Sequence, residues 1–260
     1  MMLELQNIVK IFNEGTIDEA ELFRDFHFEV EKGEFVSIVG SNGSGKTTML
    51  NLICGADTAQ EGKILFDGKD ITGLSEHKRA KFIGRVFQDP KVGTCAGLTI
   101  LENMALADNK QKSYGLGFAI NRKKLDLYRS LLEQCEMGLE NRMNIKVGSL
   151  SGGQRQALAL VIANMTKIEL LILDEHTAAL DPKSSETMMY LTDKLIRKQG
   201  ITTLMVTHNL RYAVEYGNRL VMMHEGKIIK DLCGQQKADL QVQDLLDTFN
   251  TISIESGNGV

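Results

Sequence analysis

The spacing of hydrophobic and polar residues divides the chain into two kinds of segment. Short runs rich in Val, Ile and Leu, clearest at Phe35 to Val39, Leu170 to Leu173 and Thr202 to Val206, alternate with segments of helical periodicity. Such runs are typical of parallel strands buried on both faces, with helices covering the sheet. The pattern therefore predicts an α/β fold with a mostly parallel sheet. Polar residues follow these strands, where open α/β sheets place their ligands.

Two further patterns distinguish the start and the middle of the chain. The segments L-E-L-Q-N-I-V-K-I-F and F-H-F-E-V-E alternate with period two, and K-I-L-F-D-G has the pattern of an edge strand. We therefore expect an antiparallel sheet beside the parallel one. Between residues 89 and 165 helical patterns take over, including Arg122 to Met137 and Arg155 to Met165. We predict one domain over residues 1–260, with a helical subdomain (89–165) inserted into an α/β core and β-subdomain (1–88 and 166–260).

Composition narrows the classes of function. A net charge of -4 provides no basic field for non-specific binding to nucleic acid, so we expect no nucleic-acid partner. The four cysteines are too far apart for a C-x-x-C pair, so we expect isolated reduced thiols. The N-terminus lacks the pattern of a signal peptide, and no apolar run approaches the roughly 18 residues of a membrane span. These features predict a cytosolic protein unless a partner holds it elsewhere.

A glycine-rich segment, G-S-N-G-S-G-K-T, lies between the strand F-V-S-I-V and the helical segment T-T-M-L-N-L-I-C. It fits the pattern G-x-x-x-x-G-K-[ST], in which backbone N–H groups and a helix N-terminus hold phosphates. Lys46 is predicted to reach the β- and γ-phosphates and the Thr47 hydroxyl to bind Mg²⁺; the alternative is a plain strand-to-helix turn. The predicted ATP-binding residues here are Gly40, Ser41, Asn42, Gly43, Ser44, Gly45, Lys46, Thr47 and Thr48.

Two acidic residues end the hydrophobic run L-L-I-L-D-E. A Mg²⁺ ion at Thr47 needs further oxygen ligands, and Asp174 is predicted to supply one directly or through water. Glu175 is predicted to polarise the water that attacks the nucleotide. The alternative for Glu175 is a solvated carboxylate in a loop.

A second glycine-rich motif, S-L-S-G-G-Q-R-Q, covers Ser149 to Gln156. Ser151 offers a hydroxyl, Gly152 and Gly153 expose backbone N–H groups, and the predicted helix after them directs its N-terminus toward the same anion. One chain thus carries two phosphate-binding patterns.

The order of six motifs closely resembles that of the ATP-binding subunits of ABC transporters. These motifs are G-S-N-G-S-G-K-T, V-F-Q-D-P, L-S-G-G-Q-R-Q, L-L-I-L-D-E, A-A-L-D-P and M-V-T-H-N. The resemblance implies that S-G-G-Q, the residues Ser151, Gly152, Gly153 and Gln154, closes over ATP bound to the P-loop of a second subunit arranged head to tail. That subunit is expected to be a second copy of this chain or a paralogous ATPase.

The resemblance also implies individual roles. Gln88 is expected to reach the Mg²⁺ ion and the attacking water, and His208 to contact the γ-phosphate. Asp181 is expected to contact the facing subunit. Phe12 takes the place of the aromatic residue that stacks on adenine; the alternative is that Phe12 belongs to the core.

This chain departs from the family pattern at His176, where Pro usually follows the acidic pair. Two interpretations stay open: the histidine titrates near neutrality and tunes Glu175, or it occupies a loop that tolerates either residue. The D-E-H-T variant resembles that of bacterial importers of amino-acid type, which is a weak indication of substrate.

The resemblance implies an ATP-hydrolysing subunit that drives a separate transmembrane permease by dimer closure, with ATP and Mg²⁺ as cofactors. Import is favoured, together with a solute-binding protein in the same system. We expect the chain to lie peripherally on the cytoplasmic face of the membrane, without a spanning segment. The alternatives are an exporter, a lipid- or lipoprotein-releasing system, or a non-transport ABC ATPase. Ala107 to Lys124 either adapts the subunit to its permease or forms a surface loop.

Overall fold

The computed structural model describes residues 1–110 and 120–255. These group into two compact units, one made of Met1–Glu76 with Leu204–Val260 and the other of His77–Thr203. The separate helical subdomain over residues 89–165 stays a prediction. Of the segment Ala107 to Lys124, residues 111–119 lie outside the described residues.

The strands, in chain order, are β1 (Leu3–Phe12), β2 (Ala20–Val30), β3 (Phe35–Gly40), β4 (Glu61–Phe66), β5 (Lys69–Asp70), β6 (Ile83–Val86), β7 (Leu170–Asp174), β8 (Thr202–Val206), β9 (Arg219–His224) and β10 (Lys227–Cys233). The α-helices are α1 (Lys46–Cys54), α2 (Glu76–Arg79), α3 (Ile100–Asn109), α4 (Leu125–Glu133), α5 (Gly152–Asn164), α6 (Pro182–Gln199), α7 (Leu210–Glu215), α8 (Gly234–Ala238) and α9 (Val242–Glu255). Short 3-10 turns cover Arg122–Lys124, Leu139–Asn141 and Val147–Ser149.

The first unit contains an antiparallel sheet in the order β2-β1-β4-β5. The alternation in β1 buries Leu3 and Leu5, as period two requires of a strand with one face on the core. An irregularity at Asn7, which has φ 52°, shifts the alternation by one residue, so that Ile8 is the next buried apolar residue. The expectation that K-I-L-F-D-G is an edge strand is wrong, because β5 pairs with β4 and covers its outer edge. Asp67 and Gly68 both have positive φ, which suits a tight hairpin turn, and the two-residue β5 is too short to show alternation.

The first unit also contains part of the parallel sheet. β3 is buried along its whole length and runs parallel to β9, which in turn pairs with the antiparallel β10. This arrangement places the end of β3 and the start of α1, where the glycine-rich motif lies, at the carboxyl edge of the sheet.

In the second unit, β6 and β7 pair in parallel, and all five residues of β7 are buried. The helix predicted over Arg122 to Met137 begins as a 3-10 turn and ends at Glu133. Positive φ at Glu136 and Gly138 follows, which an α-helix does not allow. The predicted helix from Arg155 begins earlier, at Gly152, because Ser151 caps it.

Candidate nucleotide site

The P-loop of the first unit, Gly40 to Thr47, is shaped by close packing around its glycines. Gly45 precedes α1 with φ 100°, and a Cβ there would lie 2.7 Å from the Phe23 ring. A Cβ on Gly40 would lie 2.2 Å from the Met223 carbonyl oxygen. A side chain at either position would force the backbone to move, so the loop requires glycine at both.

Lys46 is buried within the P-loop, where its ammonium donates hydrogen bonds to loop oxygens. The Nζ atom lies 2.8 Å from the carbonyl oxygens of Gly40 and Ser41 and 3.3 Å from Ser44 Oγ. These contacts hold the ammonium inside the loop. The side chains of Asn42 and Thr47 are exposed on the same loop.

His208 lies close to the P-loop within the first unit. It follows β8 and is exposed, and it lines a cavity of about 250 Å³ together with Gly40, Ser41 and Asn42. The structure therefore brings together two motifs that are more than 160 positions apart in sequence.

Phe12, at the end of β1, is 37% exposed, so the alternative that it belongs to the core is wrong. The Lys10 ammonium lies 5.0 Å from the ring centroid and 2.7 Å from Asp57 Oδ1. Beside it, Gln60 accepts a hydrogen bond from the Ile11 N–H at 3.0 Å and donates one to the Ile11 carbonyl at 2.8 Å. The ring is thus exposed on a backbone that neighbouring side chains hold in place.

Asp174, at the end of β7 in the second unit, forms an ion pair that the sequence interpretation missed. Arg85 Nη2 lies 2.6 Å from Asp174 Oδ2, and both side chains are nearly buried. Arg85 is opposite Ile172 in the β6–β7 register, so its side chain lies on the same face of the sheet as Asp174, two residues farther along β7. Only this pairing register could identify Arg85 as the partner of Asp174.

Glu175 starts a tight turn with φ 49°, a left-handed conformation that costs a non-glycine residue roughly 1–2 kcal/mol. Its carbonyl accepts a hydrogen bond from the Ala178 N–H at 2.9 Å. The next residue, His176, is only 2% exposed, and its Nε2 lies 3.3 Å from Thr192 Oγ1. Burial lowers the pKa of His176 to about 4, so the ring is uncharged at neutral pH. Titration of His176 near neutrality is therefore disfavoured.

The S-G-G-Q motif forms the exposed N-terminus of α5. Ser151 Oγ accepts a hydrogen bond from the Gln154 N–H, and Gln154 Oε1 accepts one from the Ser151 N–H, each at 3.3 Å. This reciprocal capping box fixes the start of the helix. Gly152 is exposed and Gly153 is buried. The helix start is therefore an ordered, accessible turn.

Gln88 lies in a loop that contacts the same helix. Its exposed side chain and Gly152, Arg155 and Leu180 line a cavity of about 560 Å³. Gln156 Nε2 donates to the Phe87 carbonyl at 3.0 Å, which ties the backbone before Gln88 to α5. The structure thus joins Gln88 and the S-G-G-Q motif within the second unit.

Asp181 caps α6, where its Oδ1 accepts a hydrogen bond from the Ser184 N–H at 3.1 Å. Hydrogen bonds from Ser184 lower the pKa of Asp181. Because the side chain is exposed, the capping role leaves its outer surface accessible. Its predicted contact with a facing subunit stays a prediction.

Comparison with known proteins decides the family. A family model described as "ABC transporter" matches residues 23–178, which is more than half of the chain. The chain belongs to the ABC transporter family. Its resemblance to ABC ATP-binding subunits is thereby confirmed, and so is the α/β fold class with a flanking antiparallel sheet.

Individual relatives extend this result along the chain. The chain is 45% identical to a tyrosine transport ATP-binding protein from Clostridioides difficile over 248 residues, which cover 95% of this chain and 98% of that protein. It is 35% identical over 231 residues to a spermidine/putrescine import ATP-binding protein from Aggregatibacter actinomycetemcomitans, covering 88% of this chain and 57% of that longer protein. Both names describe ATP-binding transport proteins.

A solved structure shows a similar fold with nucleotide bound. The dimeric structure of a post-hydrolysis state of an ATP-binding cassette with ADP and Pi matches with a TM-score of 0.76 and 31% identity. The match covers 89% of this chain and 98% of the cassette. The chain is accordingly an ATPase subunit of an ABC transporter.

The motifs of this ABC ATPase are divided between its two units. The first unit carries Phe12, the P-loop and His208, while the second carries Gln88, Ser151 to Gln154 and the acidic pair. Within the described residues, no helix is both long and apolar enough to cross a membrane. The individual roles of these site residues stay predictions.

Proposed function

We propose that this chain binds ATP with Mg²⁺ and hydrolyses it to drive import through a separate permease. The observation that carries the proposal is the 45% identity to a tyrosine transport ATP-binding protein, which extends over 95% of this chain and 98% of the relative. Similarity over nearly the full length of both chains supports a shared function. The same comparison supports the proposal of an amino-acid-type cargo, with tyrosine as the first candidate.

The P-loop holds the phosphates in this proposal. Its N–H groups and the N-terminus of α1 attract the anion, and Lys46 exchanges part of its contact with loop carbonyls for the β- and γ-phosphates. His208, on the wall of the adjoining cavity, contacts the γ-phosphate. The exposed ring of Phe12 stacks on adenine.

The oxygen donors of the predicted metal site suit Mg²⁺. Thr47 offers an exposed hydroxyl, Gln88 an exposed amide and Asp174 a carboxylate, and oxygen ligands of these kinds are those that Mg²⁺ prefers. Thr47, Gln88 and Asp174 would hold the ion. When bound, Mg²⁺ neutralises negative charge on the phosphates. Arg85 balances the charge of Asp174 in the structure described here.

Glu175 orients or deprotonates the attacking water in this mechanism. Its place at the end of β7, directly after Asp174, supports that role. Ser151, Gly152, Gly153 and Gln154 act on ATP bound to the P-loop of a second subunit, either an identical chain or a paralogous ATPase. The exposure of this capped helix start supports a role toward a partner.

The permease receives the motion of dimer closure, most directly through the groove beside Gln88. The ATPase then lies on the cytoplasmic face of the membrane, and a solute-binding protein delivers the cargo in an import system. Export and lipid release are the alternative outcomes of a transport measurement with the neighbouring permease in proteoliposomes.

A substitution at Glu175 tests the chemistry. Glu175→Gln retains the shape of the side chain but removes its basicity, so turnover is expected to fall by roughly 100-fold or more while the Kd for ATP stays within about twofold. Phosphate release and equilibrium nucleotide binding measure the two effects, and chelation of Mg²⁺ is expected to stop hydrolysis. Wild-type turnover in Glu175→Gln would exclude Glu175 as the base.

A further inference from the structure

The turn after Glu175 is tied to helix α6 by two buried side-chain hydrogen bonds. Ser185 Oγ donates to the Thr177 carbonyl at 3.1 Å, close to the beginning of α6. Farther along α6, Thr192 Oγ1 lies 3.3 Å from His176 Nε2. Ser185 and Thr192 are seven positions apart, so they lie on the same face of the helix, which faces the turn.

The His176–Thr192 contact is shielded from water. Thr192 is fully buried and His176 is 2% exposed. A hydrogen bond in such surroundings has no competing water, and loss of one partner leaves the other unsatisfied. The contact is therefore a strong constraint on the backbone that immediately follows Glu175.

Glu175 needs such a constraint. Its left-handed φ of 49° is unfavourable for a residue with a side chain, and conformations of this kind persist only where the surroundings enforce them. The Ala178 hydrogen bond closes the turn, but it does not join the turn to the rest of the unit. The side chains on α6 provide that connection.

We propose that His176 and Thr192 form a positioning pair that fixes the backbone of Glu175 and thereby aims its carboxylate at the attacking water. This inference rests on the proposed role of Glu175 as the base. Neither member of the pair is proposed to touch nucleotide or water; the pair acts through Glu175.

Two substitutions of Thr192 in the full chain separate this role from simple packing. Thr192→Val retains the shape but removes the hydroxyl, whereas Thr192→Ser retains the hydroxyl and loses a buried methyl group. We expect the valine variant to lose about tenfold or more in kcat with an unchanged Kd for ATP. The serine variant should stay within about threefold of wild type in kcat, although it loses packing contacts.

A matched control accounts for the loss of a buried threonine hydroxyl as such. Thr203 is also fully buried, and its Oγ1 donates to the Ile201 carbonyl at 3.1 Å rather than to a residue of the Glu175 turn. Thr203→Val is expected to change thermal stability without a selective loss of kcat. Equal kcat losses in Thr192→Val and Thr203→Val would overturn the proposal.

The other end of the contact provides an independent test if Thr192→Val does not fold. His176→Gln retains a polar group near the position of Nε2, while His176→Leu removes it. The glutamine variant should retain most of the turnover, the leucine variant should lose about tenfold, and His176→Leu combined with Thr192→Val should be no slower than either alone. Multiplying losses in the double variant would contradict a shared role.

Parallel measurement of Glu175→Gln separates the two levels of the argument. If Glu175→Gln loses turnover while Thr192→Val and His176→Leu retain wild-type kcat, the positioning pair is wrong and the proposed function stands. If Glu175→Gln itself retains wild-type turnover, the proposed role of Glu175 fails and the positioning inference fails with it.

Discussion

The P-loop and the S-G-G-Q turn are both glycine-rich starts of helices, yet they are built in opposite ways. Gly45 is the residue before α1 and has a left-handed conformation, and no side chain among the described residues caps this helix. Ser151 is the residue before α5 and has an extended conformation, and a capping box formed with Gln154 caps that helix. The start of α5 therefore has side-chain capping hydrogen bonds that the start of α1 lacks among the described residues.

The P-loop and the S-G-G-Q turn also differ in how far their functional side chains are buried. Lys46 is buried, and its ammonium donates hydrogen bonds to carbonyl oxygens of its own loop within one unit. Ser151 and Gly152 are exposed, and Gly152 lines the cavity of about 560 Å³. This difference supports the proposal that the P-loop binds phosphate within its own unit and that the S-G-G-Q turn acts on the nucleotide of a partner.

The largest effect is expected from Lys46→Ala, which tests whether the P-loop binds the phosphates of ATP. Loss of a charged hydrogen-bond donor costs on the order of 3 kcal/mol, so we expect the Kd for ATP to rise by about 100-fold. Equilibrium binding of a fluorescent ATP analogue measures it. Lys69→Ala, on the exposed strand β5 of the same unit, is the control and should bind like wild type. An unchanged Kd for ATP in Lys46→Ala would contradict the proposal that the P-loop binds phosphate through Lys46.

Alanine substitutions at Gly45 and at Gly152 are expected to change the stability of the protein in different ways. Gly45→Ala must accept φ 100° and a Cβ 2.7 Å from Phe23, so we expect it to lower the free energy of unfolding by about 2–3 kcal/mol. Gly152→Ala places its Cβ 3.5 Å from Leu180, an ordinary contact, and gains helix propensity, so its stability should be equal or higher.

Denaturant titration of the full chain measures both glycine variants. Gly152→Ala should nevertheless lose turnover, because its methyl group occupies the surface offered to the partner. Equal stability losses at the two glycines would mean that the turns are packed alike, contrary to the contrast drawn here.

Ser151→Arg separates binding from closure. The bulky cation at an exposed turn leaves the P-loop untouched, so the Kd for ATP should stay within about twofold, while turnover falls by about tenfold or more. Mixing this variant with Lys46→Ala produces heterodimers with one intact composite site. Wild-type turnover in Ser151→Arg would show that the S-G-G-Q motif is not required for ATP hydrolysis.

Much of this arrangement could be predicted from local sequence. The bounds of β1 and β8 agree with the predicted segments, and β3 and β7 extend them by one residue, because buried apolar runs and alternation are local signals. β9 and β10 were missed although R-L-V-M-M-H is an apolar run. Glu225 and Gly226 at its end have the positive φ values of a hairpin turn.

The contacts around the two acidic residues, Asp174 and Glu175, were not predictable in this way. The Arg85–Asp174 pair depends on the β6–β7 register, and the His176–Thr192 contact depends on the rotation of α6 about its axis. The first joins residues 89 positions apart, and the second joins residues 16 positions apart, on a turn and on the helix that follows it. The sequence interpretation therefore identified His176 as unusual but could not identify its partner.

The smallest expected effect distinguishes the two tasks of Ser151. Its hydroxyl oxygen accepts from the Gln154 N–H, and a hydroxyl can accept one hydrogen bond while it donates another to a phosphate. Ser151→Ala loses both and should cost about 1 kcal/mol of stability, whereas Ser151→Asp retains a good cap and should stay within about 0.5 kcal/mol of wild type. Aspartate cannot donate and repels phosphate, so ATP-dependent dimerisation should weaken in both variants. Sedimentation with ATP in the Glu175→Gln background measures that association, and wild-type dimerisation in Ser151→Asp would show that the hydroxyl serves only to cap α5.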